Sequence, residues 1–263
     1  METFVIANQK GGVGKTTTVL NLGASLARKG KKTLVIDLDP QANLSSGLGF
    51  TRQFDKESWN ETEEAPYKSI YDVLINQMPL SKVFVTTNQE NLMLIPSHLS
   101  LAGAEIEMVN MLARETLLKK AISEFQEEFN YILIDCPPSL SLLTINALTA
   151  SDQLIIPIQC EYLALEGLGQ LLETTKLIRG INPSLQVGGV ILTMFDSRTK
   201  LSSNVVEDVR EYFKEKAFKT VVPRNVRLSE APSFGKSIFE YDDKSTGAQA
   251  YDDLAKEFIK RFE

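Results

Sequence analysis

The stretch Phe4-Val5-Ile6-Ala7-Asn8-Gln9-Lys10-Gly11-Gly12-Val13-Gly14-Lys15-Thr16-Thr17 decides the reading of the whole chain. An apolar run, residues 4–7, leads into a glycine-rich turn, and a helical pattern over residues 16–29 leads out. That order of strand, glycine-rich loop and helix is what a phosphate-binding loop requires. Gly11, Gly12 and Gly14 are expected to turn the backbone with positive φ, so that successive N–H groups around Val13 point at phosphate oxygens. The helix N-terminus, entered at Thr16 and Thr17, adds unpaired N–H groups and the positive end of its dipole. Lys15 supplies a point charge for the β- and γ-phosphates of a nucleotide, and the Thr16 hydroxyl is placed to ligate Mg²⁺.

Working outward, the run Thr33-Leu34-Val35-Ile36 is apolar at every position, as for a parallel strand buried on both faces. It ends in Asp37-Leu38-Asp39-Pro40-Gln41, and a carboxylate at that end of a parallel strand faces the crevice where ligands bind. Tyr131-Ile132-Leu133-Ile134-Asp135, closed by Cys136-Pro137-Pro138, repeats the pattern. Asp135 is expected to sit beside the loop and hold Mg²⁺ through water. Further strands are expected at 91–96, 153–158, 187–193 and 218–222. Helices are expected at 70–74 (capped by Ser69), 103–112, 114–125, 165–178, 203–216 and from Ser245 or Thr246 to Glu263. The fold class is therefore α/β: a doubly wound, mostly parallel sheet with helices on both faces, a single P-loop domain spanning 1–263. Residues 51–66 break the pattern and read as a surface insertion, either a solvated acidic loop or a partner-binding one.

The bulk numbers are those of an ordinary globular chain: 263 residues, 43% hydrophobic and 24% charged. Two cysteines, Cys136 and Cys160, are too few for a disulfide framework and suggest a reducing cytosol. Met1-Glu2-Thr3 lacks the basic start of a secretory signal, and no apolar run approaches the ~18 residues of a membrane span. His98, the lone histidine, has no partner at metal-ligand spacing and reads as structural. The net charge of −6 argues against global attraction to nucleic acid. Locally, residues 196–236 carry nine Lys/Arg against six Asp/Glu, the one clear basic excess.

The loop departs from the common pattern. Gln9 stands where Gly-x4-Gly-Lys-Thr has its first glycine, and a second lysine, Lys10, heads the loop. This resembles the deviant Walker A loop of the ParA/MinD/nitrogenase-iron-protein superfamily. There the extra lysine reaches across a dimer interface to the partner's nucleotide. Asp-Leu-Asp-Pro-Gln resembles that family's first switch, in which Asp39 would orient or deprotonate the attacking water, and Pro137-Pro138 resembles its second. The segment Pro223-Arg224-Asn225-Val226-Arg227-Leu228-Ser229-Glu230-Ala231-Pro232 closely resembles the signature of chromosomal and plasmid ParA (Soj) partition ATPases. By that resemblance Pro223, Arg224 and Asn225 would line the adenine, and Arg198 and Arg227 would grip DNA. It further implies an ATP-dependent homodimer with Mg²⁺ as cofactor, slow ATP hydrolysis stimulated by a ParB-type centromere-binding partner, and nonspecific binding to double-stranded DNA. The expected location is cytoplasmic and nucleoid-associated.

The alternatives are a MinD-like membrane-associated regulator of division-site placement, an iron protein or ATP-dependent ligase on the same fold, and an ATP-gated DNA-binding switch whose hydrolysis is incidental. Against the first, the polar face of the C-terminal helix is net negative, with Asp252, Asp253, Glu257 and Glu263 opposing Lys256, Lys260 and Arg261. Anionic lipid repels such a face.

Overall fold

A computed structural model describes residues 1–50, 67–125, 129–162, 164–165 and 167–263, and the insertion expected at 51–66 lies outside them. The elements run β1 (Glu2–Ile6), α1 (Lys15–Arg28), β2 (Thr33–Asp37), α2 (Asn43–Gly47), α3 (Ile70–Leu74), β3 (Val85–Thr86), β4 (Leu92–Ile95), α4 (Leu101–Met108), α5 (Leu117–Ser123) and β5 (Tyr131–Asp135). There follow α6 (Leu142–Ala150), β6 (Gln153–Gln159), α7 (Leu168–Ile178), β7 (Gln186–Phe195), α8 (Lys200–Phe213), β8 (Ala217–Pro223), α9 (Val226–Glu230), α10 (Ile238–Tyr241) and α11 (Thr246–Phe262). The eight strands form one sheet in the order β3-β4-β2-β5-β1-β6-β7-β8. Every pairing is parallel except β3 with β4.

Alternation along the central strands divides the core in two. Val5, Leu34, Ile36, Ile132 and Ile134 face one hydrophobic cluster, while Phe4, Ile6, Val35, Tyr131 and Leu133 face the other. A period-2 backbone with apolar residues at every position has to be covered on both sides. Helices α3 to α8 contribute to the first cluster, and α1, α10 and α11 to the second. The strand order reverses about β1, so the loop after β1 opens into the crevice between diverging crossovers.

Several elements differ from expectation. Helix α6 was not expected; six of its nine residues are buried and none is exposed. Helix α8 begins at Lys200 because Thr199 Oγ1 accepts from the Ser202 N–H, and it stops at Phe213, where Lys214 adopts φ 49°. Helix α4 ends at Met108, and a 3₁₀ turn, Arg114–Thr116, precedes α5. Pro157 sits inside β6, where proline is normally excluded. It lies past the last register pair of β6 with β1, Ile155 with Ile6, so its missing N–H breaks no ladder bond there. Asn8 Nδ2 donates to its carbonyl at 2.8 Å instead.

Helix α11 uses its apolar stripe inward. Tyr251, Leu254 and Phe258 are buried, and the Phe258 ring lies 4.6 Å from Phe4 and stacks on Phe218 at 6.2 Å. Among the described residues no helix is long and apolar enough to cross a membrane. The edge strand β8 bulges between its pairs Ala217–Val190 and Val221–Leu192. At this bulge Glu257 of α11 accepts the N–H groups of Lys219 and Thr220 at 2.8 and 2.9 Å, and Arg210 donates to the Lys219 carbonyl at 3.0 Å.

Candidate functional site

The loop between β1 and α1 is built as a cradle. Gly12 and Gly14 have φ of 75° and 90°, a region that residues with a Cβ seldom adopt. Gly11 does not, which corrects the expectation of positive φ at all three. The space around its missing Cβ is open, so its use is close approach to a ligand. Gly14 begins α1 without a side-chain cap, and the first intrahelical bond is Thr18 N–H to the Gly14 carbonyl at 2.9 Å. The N–H groups of Lys15, Thr16 and Thr17 are therefore left to bind an anion. Thr193 Oγ1 on β7 donates to the Val13 carbonyl at 2.8 Å, while the Val13 side chain is buried in the core. Asn8 Oδ1 accepts the Lys10 N–H at 3.0 Å and so ties the head of the loop to β6 as well.

Lys15 is only 6% exposed, and its Nζ donates to the Lys10 carbonyl at 3.3 Å. Burial pulls its pKa down, and Asp135, Cys136 and Asp39 hold it up. A phosphate would restore the charge that burial disfavours.

Two carboxylates stand side by side at the ends of β2 and β5, Asp37 opposite Asp135 in register, both fully buried. Asp37 is satisfied: its Oδ2 accepts from Ser45 N–H at 2.8 Å and Ser45 Oγ at 2.7 Å, and its Oδ1 from Asp39 N–H at 3.2 Å. Burial nevertheless pushes it up to about 6. Asp135 is different. Neither of its oxygens has a hydrogen-bond partner. Burial first, then the charge of Asp37, raises it well above the carboxylate range, with the nearby Thr16 hydroxyl and Lys15 pulling the other way.

A buried carboxylate without a donor, beside a loop hydroxyl, is short of a positive partner. Among the described residues no three His, Cys, Asp or Glu side chains converge into a cage. One hydroxyl and one carboxylate fit a cation that keeps most of its shell from water and phosphate, as Mg²⁺ does.

The loop opens on a cavity of about 640 Å³ lined by Gly11, Gly12, Gly14, Lys15, Thr16 and Thr17 together with Asp39, while Asp37 and Asp135 lie buried outside its lining. Leu20 of α1, Asn43, Ser46 and Gly47 of α2, Met194 at the end of β7 and Ser233 complete the wall without having been singled out from sequence, and Gln41 lines it from the end of the quoted Asp37–Gln41 motif. Pro138 and Pro232, quoted for their resemblance only, also line it. Ala42 and Met194 both take φ 53°, so the backbone is strained on two sides of the cavity.

Lys10, Pro223, Arg224 and Asn225 do not line it. The last three are engaged elsewhere: Pro223 pairs with Phe195 in the β7–β8 ladder, Arg224 N–H donates to the Phe195 carbonyl at 2.9 Å and its guanidinium pairs with Glu161, and Asn225 Oδ1 caps α9 at Arg227 N–H, 2.8 Å. His98 is structural here, its Nδ1 2.9 Å from Ser100 Oγ.

Arg198 and Arg227 both follow strand ends on the cavity side of the sheet. They are solvent-facing, with side chains 84% and 54% exposed. Arg198 pairs with Asp196 at 2.7 Å and holds that carboxyl well below its usual range. Arg227 pairs with Glu230 at 2.9 Å and Asp242 at 3.6 Å. Exposed pairs of this kind contribute little to stability and exchange readily for other anions.

A family model described as an AAA domain matches residues 1–187. The chain is 53% identical over 255 residues to the sporulation initiation inhibitor protein Soj of Bacillus subtilis (strain 168), covering 97% of this chain and 96% of that one. It is 48% identical over 261 residues to the chromosome-partitioning ATPase Soj of Treponema pallidum (strain Nichols), covering 99% and 98%. Among solved structures, a cobyrinic acid a,c-diamide synthase from Mycobacterium smegmatis with bound ADP and magnesium matches with a TM-score of 0.82 and 36% identity, covering 100% of this chain and 95% of that one.

Proposed function

The chain belongs to the Soj/ParA family of chromosome-partitioning ATPases, and on that premise we propose that it is an ATP-driven DNA-segregation switch. Its ATP-bound dimer would hold duplex DNA without regard to sequence and release it after hydrolysis stimulated by a ParB-type partner. One observation carries this reading: the uncapped start of α1, Lys15 and Asp39 line one cavity at the strand ends, with the buried Asp135 close to the loop residues Lys15 and Thr16.

Within that reading the N–H groups of residues 11–17 and the Lys15 ammonium bind the β- and γ-phosphates. Thr16 and Asp135 would hold Mg²⁺, which would offset charge on those phosphates. Asp39 orients or deprotonates the water that attacks. Lys10 stands outside its own chain's cavity. It is assigned to the partner subunit's nucleotide, where its charge offsets the charge developing on transfer, as an arginine finger does. The base is assigned to the ends of β7 and β8, beside Met194 of the cavity wall and the Pro223–Asn225 segment outside it, whose Arg224 N–H is bonded to Phe195. Dimerisation would set Arg198 and Arg227 of both subunits on one surface, free to exchange their exposed carboxylate partners for DNA phosphates.

The reading as a membrane-bound regulator needs the apolar stripe of α11 to be available. Here Tyr251, Leu254 and Phe258 are spent on the core. The diamide synthase shares the fold, but at 36% identity against 53% and 48% for the Soj proteins.

Duplex DNA binding should be measured with no nucleotide, with ADP and with ATP, across a salt series, for wild type and Arg227→Glu. Binding only with ATP, weakened steeply by salt and lost in the variant, supports the proposal. Absence of DNA binding in every nucleotide state would remove the DNA role and leave the nucleotide site standing.

A further inference from the structure

We propose that Ser97 is a positioning residue for hydrolysis, one whose hydroxyl holds the backbone of Asp39 in place. The inference rests on the role assigned to Asp39 above.

Strands β2 and β4 are paired as far as Ile36 with Ile95. Beyond that point the ladder ends, and side chains take over its work. Ser97, fully buried, donates its Oγ to the Asp39 carbonyl at 2.7 Å. Its own N–H donates to Ser45 Oγ at 3.0 Å, and Ser45 Oγ donates to Asp37 Oδ2 at 2.7 Å. Asp37 Oδ1 accepts the Asp39 N–H at 3.2 Å, which closes the circuit. The Asp39 peptide is thus gripped from both sides by buried groups. Ser97 is the one member of the circuit that does not belong to the 37–47 segment.

That segment has reason to need an outside tether. The Asp39 carboxylate is partly committed, since its Oδ1 accepts the Gln41 N–H at 2.9 Å. The turn closes through Ala42 N–H to the Asp39 carbonyl at 2.9 Å, with Ala42 held at φ 53°. A strained non-glycine turn persists only where its surroundings over-determine it. The same segment supplies Gln41, Asn43, Ser46 and Gly47 to the cavity wall. Small errors in placing a reacting group are expensive in rate and need not be expensive in binding.

The substitution Ser97→Ala is clean, because it deletes one donor and leaves the Ser97 N–H bond to Ser45 and every phosphate-loop contact in place. Turnover at saturating ATP and Mg²⁺, affinity for a fluorescent ATP analogue and melting temperature should be measured for wild type, Ser97→Ala and Asp39→Ala. The expected result is a kcat lower by about three- to tenfold in Ser97→Ala, the value of one neutral hydrogen bond, with analogue affinity within about twofold of wild type. Unchanged turnover in Ser97→Ala while Asp39→Ala is inactive overturns the inference and leaves Asp39 standing. Turnover, affinity and melting temperature all falling together in Ser97→Ala make it a residue of the fold alone, which also overturns it. Normal turnover in Asp39→Ala overturns the inference together with its premise.

Discussion

Replacing Asp135 with asparagine should make the nucleotide-free protein more stable and the nucleotide-bound protein less so. Both oxygens of Asp135 are buried without a partner, and Asp37 lies across from it in the ladder. Leaving a buried polar group unsatisfied costs about 1–3 kcal/mol, more when it is charged. Asparagine keeps the shape and the unsatisfied atoms but removes the charge, so the expected gain is on the order of 1–2 kcal/mol. For a chain of this size that is a rise of roughly 2–8 °C in melting temperature.

The sign with pH follows from the direction of the shift. A carboxyl raised in the folded state favours folding below its unfolded pKa, and that contribution is lost as pH rises through the folded value. The advantage of asparagine should therefore be absent near pH 4 and grow toward neutrality. With Mg²⁺ and a non-hydrolysable ATP analogue the order should reverse. Ligand at about a hundred times its Kd stabilises by about 2.7 kcal/mol, and a hundredfold loss of affinity would reduce that to about 0.4 kcal/mol. Calorimetry in EDTA and then in Mg²⁺ with the analogue would show the two melting temperatures crossing. A variant that melts below wild type in EDTA, or responds fully to the Mg²⁺ complex, would refute the assignment of Asp135 as the group awaiting a cation.

Lys15→Ala should abolish ATP binding and DNA binding together; ATP-dependent DNA binding retained in that variant would sink the loop assignment. Asp39→Ala should leave ATP-bound dimers on DNA, read as a slowed off-rate after ATP is chased, whereas normal release would take Asp39 out of the mechanism. Asp37 is raised by burial to about 6, so its contribution is full below about pH 4 and lost as pH rises through about 6. The stability of wild type relative to Asp37→Asn should fall by up to about 3 kcal/mol over that range, seen as diverging urea midpoints. Phe258→Ala opens the aromatic cluster around Phe4 and should lower stability by about 3–5 kcal/mol in denaturant titration, and nucleotide affinity should recover once the variant is kept folded.

Much of this architecture can be read from residue order, and the reasons for success and failure are physical. Strands β1, β2 and β5 announce themselves because burial on both faces demands an unbroken apolar run, and Asp37 and Asp135 end those runs where the crevice lies. Helix α6 is invisible for the complementary reason. Leu142-Leu143-Thr144-Ile145-Asn146-Ala147-Leu148-Thr149-Ala150 is enclosed on most sides, so it has no polar stripe to reveal a helical period. Strand β3 has two residues and no pattern to show. In the site, the loop, Lys15, Thr16, Asp39 and Asp135 were legible because each chemistry has a local spacing. Asn43, Ser46 and Met194 were not, because they become wall only when β2, α2 and β7 end beside one another. Ser97 is the extreme case: a serine after Ile-Pro carries no signal until β4 is laid against β2.

The bulged margin of β8 bears on how copies of this protein meet. An open strand edge is a template on which another chain can crystallise its own backbone, the first step toward fibres. Here Glu257 and Arg210 occupy the N–H and C=O groups that such growth would need at the bulge, and at the opposite margin β3 is too short to seed it. A sheet margined in this way resists strand-by-strand growth at both rims.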